Sequence, residues 1–206
     1  MYHGERFNSY THLFGAVAAL GGLIALVYIA LEQGDLWKTV SFSLYGASLF
    51  LLYLSSTLYH STQHKRLKRF FQKLDHFSIY LLIAGSYTPL TLVTLDSSWG
   101  IPLFIIIWML AMIGIVVDAY SRDECRVWPV TIYLVMGWLV LVAIYPLYQA
   151  LPGAGIFWLV CGGIFYTVGL IFYFKEDEIK HGHGIWHMFV LAGSTSHFVV
   201  VAGYVA

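Results

Sequence analysis

Charge is what this sequence has least of. Only 11% of its 206 residues are Asp, Glu, Lys or Arg, eleven of each sign, where soluble domains carry roughly a quarter. So few charges can neither cover a water-facing surface nor neutralise a run of phosphates. A soluble globular enzyme, a disordered chain and a nucleic-acid binder are thereby excluded. Cysteine is equally scarce: Cys125 falls in a charged segment and Cys161 in an apolar run. Pairing them would take one out of its surroundings, so no disulfide is expected. The first twelve residues contain Glu5 and lack both a basic cluster and a small-residue cleavage site, so no removable signal peptide is expected and the first apolar run is retained. Internal repeats of the kind secondary transporters carry, and low-complexity stretches, are also missing.

What is abundant is apolar residues, 59% of the chain, with a mean hydropathy of +0.74. They gather in seven runs, 12–31, 39–60, 74–95, 99–118, 127–149, 155–174 and 183–205. Each is long enough to cross the hydrocarbon core as a helix. Backbone polar groups cannot go unpaired in lipid, and barrel strands of about ten alternating residues look different, so the spans are helical. Seven spans of about 20 residues use about 140, which leaves short connections. The expectation is an all-α integral membrane protein, a seven-transmembrane helix bundle forming one domain over residues 1–206.

Lys and Arg placement orients it. Arg6 precedes the first run; Lys65, Arg66, Lys68, Arg69 and Lys73 separate the second and third; Arg122 and Arg126 the fourth and fifth; Lys175 and Lys180 the sixth and seventh. Lys38 alone falls on the opposite side. The positive-inside rule therefore predicts a cytoplasmic N-terminus, with the C-terminus on the far side because the span number is odd.

Ionisable residues at or inside a span are costly and are functional candidates by default. Drawn on this topology, most fall at one depth. Glu5, Asn8 and His12 stand at the start of the first span, Ser56 and His60 at the end of the second, Asp75 and His76 at the start of the third, and His183 and His187 at the start of the seventh. At about 100° per residue, positions four apart share a helix face. Ser56 and His60 do, as do His183 and His187. Two histidines one turn apart are a common way to hold zinc, and a third imidazole with a carboxylate completes a catalytic type of site that keeps one position for water. His60, His183, His187 and Asp75 provide that inventory without any sulfur ligand.

Other polar residues have plainer readings. His64 lies among five basic residues and reads as solvated; His76 points about 100° from Asp75 and reads as interfacial; His3 and His181 read as loop residues. His197 lies deeper, ten residues past His187, and suits either polar packing or the lining of a cavity. Ser86, Thr88 and Pro89 read as a proline kink with hydroxyl support. Asp118 reads as interfacial or as a neighbour of the cluster. Many of the 7 Trp and 15 Tyr near span ends suit the interfacial belt. The basic stretch Lys65–Lys73 follows from topology, with attraction to anionic headgroups compatible.

The segments Glu5-Arg-Phe-Asn8-Ser-Tyr-Thr-His12, Ser56-Thr-Leu-Tyr-His60, Leu74-Asp75-His76 running on to Ser86-Tyr87-Thr88-Pro89, and His183-Gly-Ile-Trp-His187 resemble the hemolysin III group of bacterial membrane proteins. That group belongs with the adiponectin and progestin receptor family and more widely resembles the alkaline ceramidases. The resemblance implies a seven-helix bundle with its N-terminus inside and a zinc ion near the cytoplasmic face. By the same resemblance His60, His183 and His187 are the metal ligands, and Asp75 reaches the metal directly or through water. Ser56 is placed near that water, and Glu5, Asn8 and His12 give support around the ligands.

Two functions from different classes follow as expectations. One is a zinc-dependent membrane hydrolase of a lipid amide or ester bond, with Ser56 and Asp75 catalytic and a membrane lipid as partner and substrate. The other is a membrane-state sensor, regulator or receptor-like protein whose zinc is structural. A hemolysin-like cytolytic role has less behind it, because no cationic amphipathic segment is left over to form a secreted pore. The bacterial cytoplasmic (inner) membrane is the expected location.

Overall fold

A computed structural model describes residues 4–120 and 126–206. Seven of its helices are long and apolar enough to cross a membrane: α1 (Arg6–Glu32), α2 (Leu36–Ser61), α3 (Lys65–Thr94), α4 (Ser97–Tyr120), α5 (Val127–Ala150), α6 (Gly153–Phe174) and α7 (Gly182–Val205). No strand occurs among the described residues. Cys125, Arg122 and His3, on which readings were made above, lie outside them. Cys161 is a free thiol in α6.

Connections are short, so sequence neighbours pack antiparallel. Between α1 and α2 the chain turns through Gly34 at a φ of 65°, and Asp35 then caps α2 by accepting from the Lys38 backbone N–H at 3.0 Å, satisfying a donor the helix leaves open. α1 packs on α2 and α7, α2 on α3, α3 on α4 and α5, and α6 on α7. α2 and α3 are central: 56% of the most apolar stretch of each is buried, against 22–28% for α1, α4, α5 and α6. The outer faces carry exposed Phe14, Val17, Ile24, Ile105, Met109, Phe157 and Ile171, as expected where lipid is the solvent.

Three differences from the expected spans have local causes. α3 starts at Lys65, nine residues before its apolar run, because Lys, Arg and Leu are good helix formers and continue the helix through the basic stretch. Pro89 sits inside α3 and is followed by a π-helical turn, Leu90–Thr94, the kind of irregularity a missing N–H introduces. The Thr88 and Ser86 hydroxyls donate to the Ala84 and Ile83 carbonyls there. In α5 the α-helix Val127–Trp138 gives way to a 3₁₀ turn, Leu139–Ala143, before resuming at Ile144–Ala150. Pro146 lies just beyond and disfavours regular bonding in the preceding turn. Tyr87 of α3 fills the gap. Its hydroxyl lies 2.8 and 3.0 Å from the Met136 and Gly137 carbonyls and accepts from the Val140 N–H at 2.7 Å. Backbone groups freed inside a membrane helix need such partners.

Candidate metal centre

The starts of α1, α3, α5 and α7 and the ends of α2, α4 and α6 meet at one end of the bundle. There His60 from α2 and His183 and His187 from α7 each offer a ring nitrogen, and these atoms lie within 4.8 Å of one another. The ring centroids are 4.7–5.0 Å apart. His60 and His187 are buried, while the His183 side chain keeps 28% of its exposure, so the group is reached from that end.

The hydrogen bonds decide which nitrogen each imidazole presents. His60 Nδ1 is 2.8 Å from Glu5 Oε2, and His183 Nδ1 is 2.5 Å from Glu176 Oε2. His187 Nδ1 is 3.2 Å from both the Asn8 carbonyl oxygen and Thr11 Oγ1. Carboxylates and carbonyls only accept, so each Nδ1 carries the proton and each neutral ring turns an Nε2 lone pair outward. His60 Nε2 is buried and has no hydrogen-bond partner among the described residues. Three convergent ring nitrogens, each ring held by a hydrogen bond on its far side, are what metal-binding imidazoles show.

Glu5 is the hub of this support. It stands at the N-cap of α1 without capping it and is turned toward α2. It accepts from Asn8 Nδ2 at 2.9 Å and lies 3.5 Å from Lys68 Nζ. The His60 hydrogen bond, more than any other influence, pulls its carboxyl down to about 2. α1 can come this close to α7 because residue 184 is glycine: a Cβ there would stand 2.1 Å from Phe7 Cδ1 and 2.9 Å from Asn8 Oδ1.

The family model for Haemolysin-III related proteins matches residues 1–198. The chain belongs to the hemolysin III family. It is 44% identical over 200 residues to the Hemolysin-3 homolog of Bacillus subtilis, covering 97% of this chain and 93% of that protein. The human Monocyte to macrophage differentiation factor is 27% identical, over 96% and 82% of the two chains. The Drosophila melanogaster Adiponectin receptor protein is 26% identical, over 95% and 49%.

Of the other residues singled out in this hemolysin III chain, His12 touches the triad directly. His12 is 3% exposed and stacks on His187 with centroids 3.5 Å apart and 10° between planes. Both of its ring nitrogens are buried without a hydrogen-bond partner among the described residues. Asp75 stands outside the 4.8 Å group, in electrostatic reach of His183, Ser56 and Arg126. Ser56 is 1% exposed, and its Oγ, near that carboxyl, makes no hydrogen bond of ordinary geometry to a described residue. His64 is exposed at the start of α3, and His181 is left-handed, with a φ of 62°, before α7.

His76 and Asp118 are more than interfacial. Arg126 Nη1 is 2.6 Å from His76 Nδ1, and the guanidinium also grips both Asp118 oxygens at 3.3 and 3.0 Å. Tyr133 OH donates to the His76 carbonyl at 3.2 Å. The network ties α3, α4 and α5 together one residue from Asp75. Sequence reading missed this pairing, and it also missed Glu176 and Thr11 as partners of the histidines. None of these follows a helical stripe shared with its partner; only the helix packing joins them.

One turn deeper than Asp75 and Ser56, at Ile79 and Leu52, begins an apolar cavity of about 120 Å³. It runs between α3, α5, α6 and α7 past Trp186 and Val190 to His197. A smaller cavity of about 50 Å³ continues beyond, and His197 lines both.

Proposed function

We propose that this protein is a zinc-dependent membrane hydrolase that cleaves an amide or ester bond of a lipid at the cytoplasmic end of the bundle, in the bacterial inner membrane. The observation that carries the reading is the convergence of three imidazole nitrogens from His60, His183 and His187; the Asp75 carboxyl, within electrostatic reach of His183 and Ser56, and an apolar cavity that begins one turn deeper at Ile79 and Leu52 support it. His60, His183 and His187 would hold the ion; three neutral imidazoles with no thiolate suit zinc in a site that keeps a position open. Zinc, when bound, supplies a Lewis acid that polarises the substrate carbonyl and activates water at neutral pH. Asp75, within electrostatic reach of His183, accepts the proton of the attacking water and returns it to the leaving amine or alcohol. The Ser56 hydroxyl donates to the oxyanion that develops on the carbonyl oxygen. Acyl chains occupy the cavity between α3, α5, α6 and α7.

The test begins with zinc content. Detergent-purified wild type should carry about one zinc per chain, and a folded His183→Ala/His187→Ala double variant should carry none. The zinc-loaded wild type is then run on a panel of lipid amides and esters beside an active control enzyme. Ser56→Ala should keep its zinc and lose roughly 10²-fold in turnover. A folded wild type without zinc, or a loaded one without turnover, refutes the enzyme reading. A second reading, a regulator with structural zinc, is favoured by the names of the human and Drosophila relatives, a differentiation factor and a receptor. It predicts zinc without turnover and little effect of Ser56→Ala.

A further inference from the structure

The cavity that begins at Ile79 and Leu52 is apolar except for a few groups, and several of those are already engaged within the protein. Ser86 Oγ donates to Ile83 O at 2.8 Å. Tyr87 OH is held by three backbone groups of α5. Trp138 Nε1 donates to Thr167 Oγ1 at 3.1 Å, and that hydroxyl donates to Gly163 O at 2.8 Å. His197 differs. Its Nε2 is 3.3 Å from the Leu159 carbonyl, and the Cδ2–Nε2 edge lies flat on α6, where a Cβ on Gly162 would come within 2.2 Å. A carbonyl only accepts, so Nε2 bears the proton and Nδ1 is a lone-pair acceptor. Among the described residues nothing donates to Nδ1, and the ring lines both cavities. Without a donor from the protein, Nδ1 on a ring that lines the cavities is open to a donor carried by a ligand.

We propose that His197 is a specificity-determining residue which reads a hydrogen-bond donor, a hydroxyl, carried partway along the lipid chain in this cavity. The inference rests on the cavity holding the acyl chain of the substrate. His197 is ten residues beyond His187 on α7, about 15 Å along the helix axis, so the hydroxyl recognised stands about that far from the reacting carbonyl. The geometry selects for a donor as well as for a position: a keto group at the same carbon offers Nδ1 nothing.

Three long-chain acids test this on the full-length, zinc-loaded protein in detergent, by competition against radiolabelled stearate. 12-Hydroxystearate places its hydroxyl near the required distance, 12-oxostearate places an acceptor there, and 2-hydroxystearate places a hydroxyl far from it. The expected result is that 12-hydroxystearate binds roughly three- to tenfold tighter than stearate, the worth of one such hydrogen bond, while the other two gain nothing. In His197→Leu the preference disappears and stearate itself binds at least as well. Stearate and 12-hydroxystearate binding alike to wild type would overturn the inference and leave the acyl-chain cavity standing. Equal gains from the hydroxy and oxo acids would also overturn it, since Nδ1 would then not be the discriminating acceptor. Failure of every acid, stearate included, to bind would overturn both the cavity reading and the inference built on it. The wild-type comparison stands by itself if His197→Leu does not fold.

Discussion

Replacing Glu5 by Gln removes one charge and almost no volume from the support of the triad. In the folded protein Glu5 accepts from His60 Nδ1 at 2.8 Å and from Asn8 at 2.9 Å, with Lys68 at 3.5 Å. Gln can still accept one hydrogen bond through its amide oxygen. It loses the charge-assisted bond, which is roughly twice as strong as a neutral one, and its NH₂ group can turn toward His60 and disfavour the tautomer that exposes Nε2. Loss of such an outer carboxylate typically weakens metal binding about 10- to 100-fold, or about 1.4–2.7 kcal/mol. Zinc affinity measured by competition with a chromogenic chelator should fall by that factor, with the stoichiometry at saturation unchanged. Because the Glu5 carboxyl is depressed from 4.5 to about 2, its contribution is fully present above its ordinary range and is lost only as pH falls through about 2. The deficit of the variant should therefore be the same at pH 7 and pH 8.5. A folded Glu5→Gln protein binding zinc within twofold of wild type would refute the assignment of His60 Nε2 as a ligand nitrogen oriented by Glu5.

The Arg126–Asp118 pair, with side chains 18% and 6% exposed, is buried enough that removing one partner strands a charge. Arg126→Met should cost about 3–5 kcal/mol, and adding Asp118→Leu should recover much of it, read as unfolding midpoints in detergent. Gly162→Ala places a Cβ 2.2 Å from His197 Cδ2 and 3.2 Å from the Gly193 carbonyl. It should destabilise by about 1–3 kcal/mol through overpacking, while leaving zinc stoichiometry at one per chain; a midpoint equal to wild type would show that α6 and α7 separate freely.

The architecture was legible because lipid leaves few options: continuous apolar runs of about 20 residues can satisfy their backbone only as helices, and all seven expected runs appear as helices. The triad was legible for a related reason. Four-residue spacing puts His183 and His187 on one face, and span parity brings the end of α2 to the start of α7. The helix ends were less visible. Basic residues that mark a loop by charge extend α3 back to Lys65, because Lys, Arg and Leu favour the helix in water as well and carry it past the end of the apolar run.

What the sequence alone determined is therefore what repeats along one chain segment: the number of spans, their period, and which ionisable residues share a depth. Only tertiary packing decided which groups touch. That Glu176 turns onto His183, that Asn8 offers its carbonyl to His187, that Arg126 joins His76 to Asp118, and that His197 is left with one open lone pair all depend on helix rotation and approach. Those are set by side-chain interdigitation between helices, such as the space left at Gly184 and Gly162, and no single helix carries that information in its own periodicity.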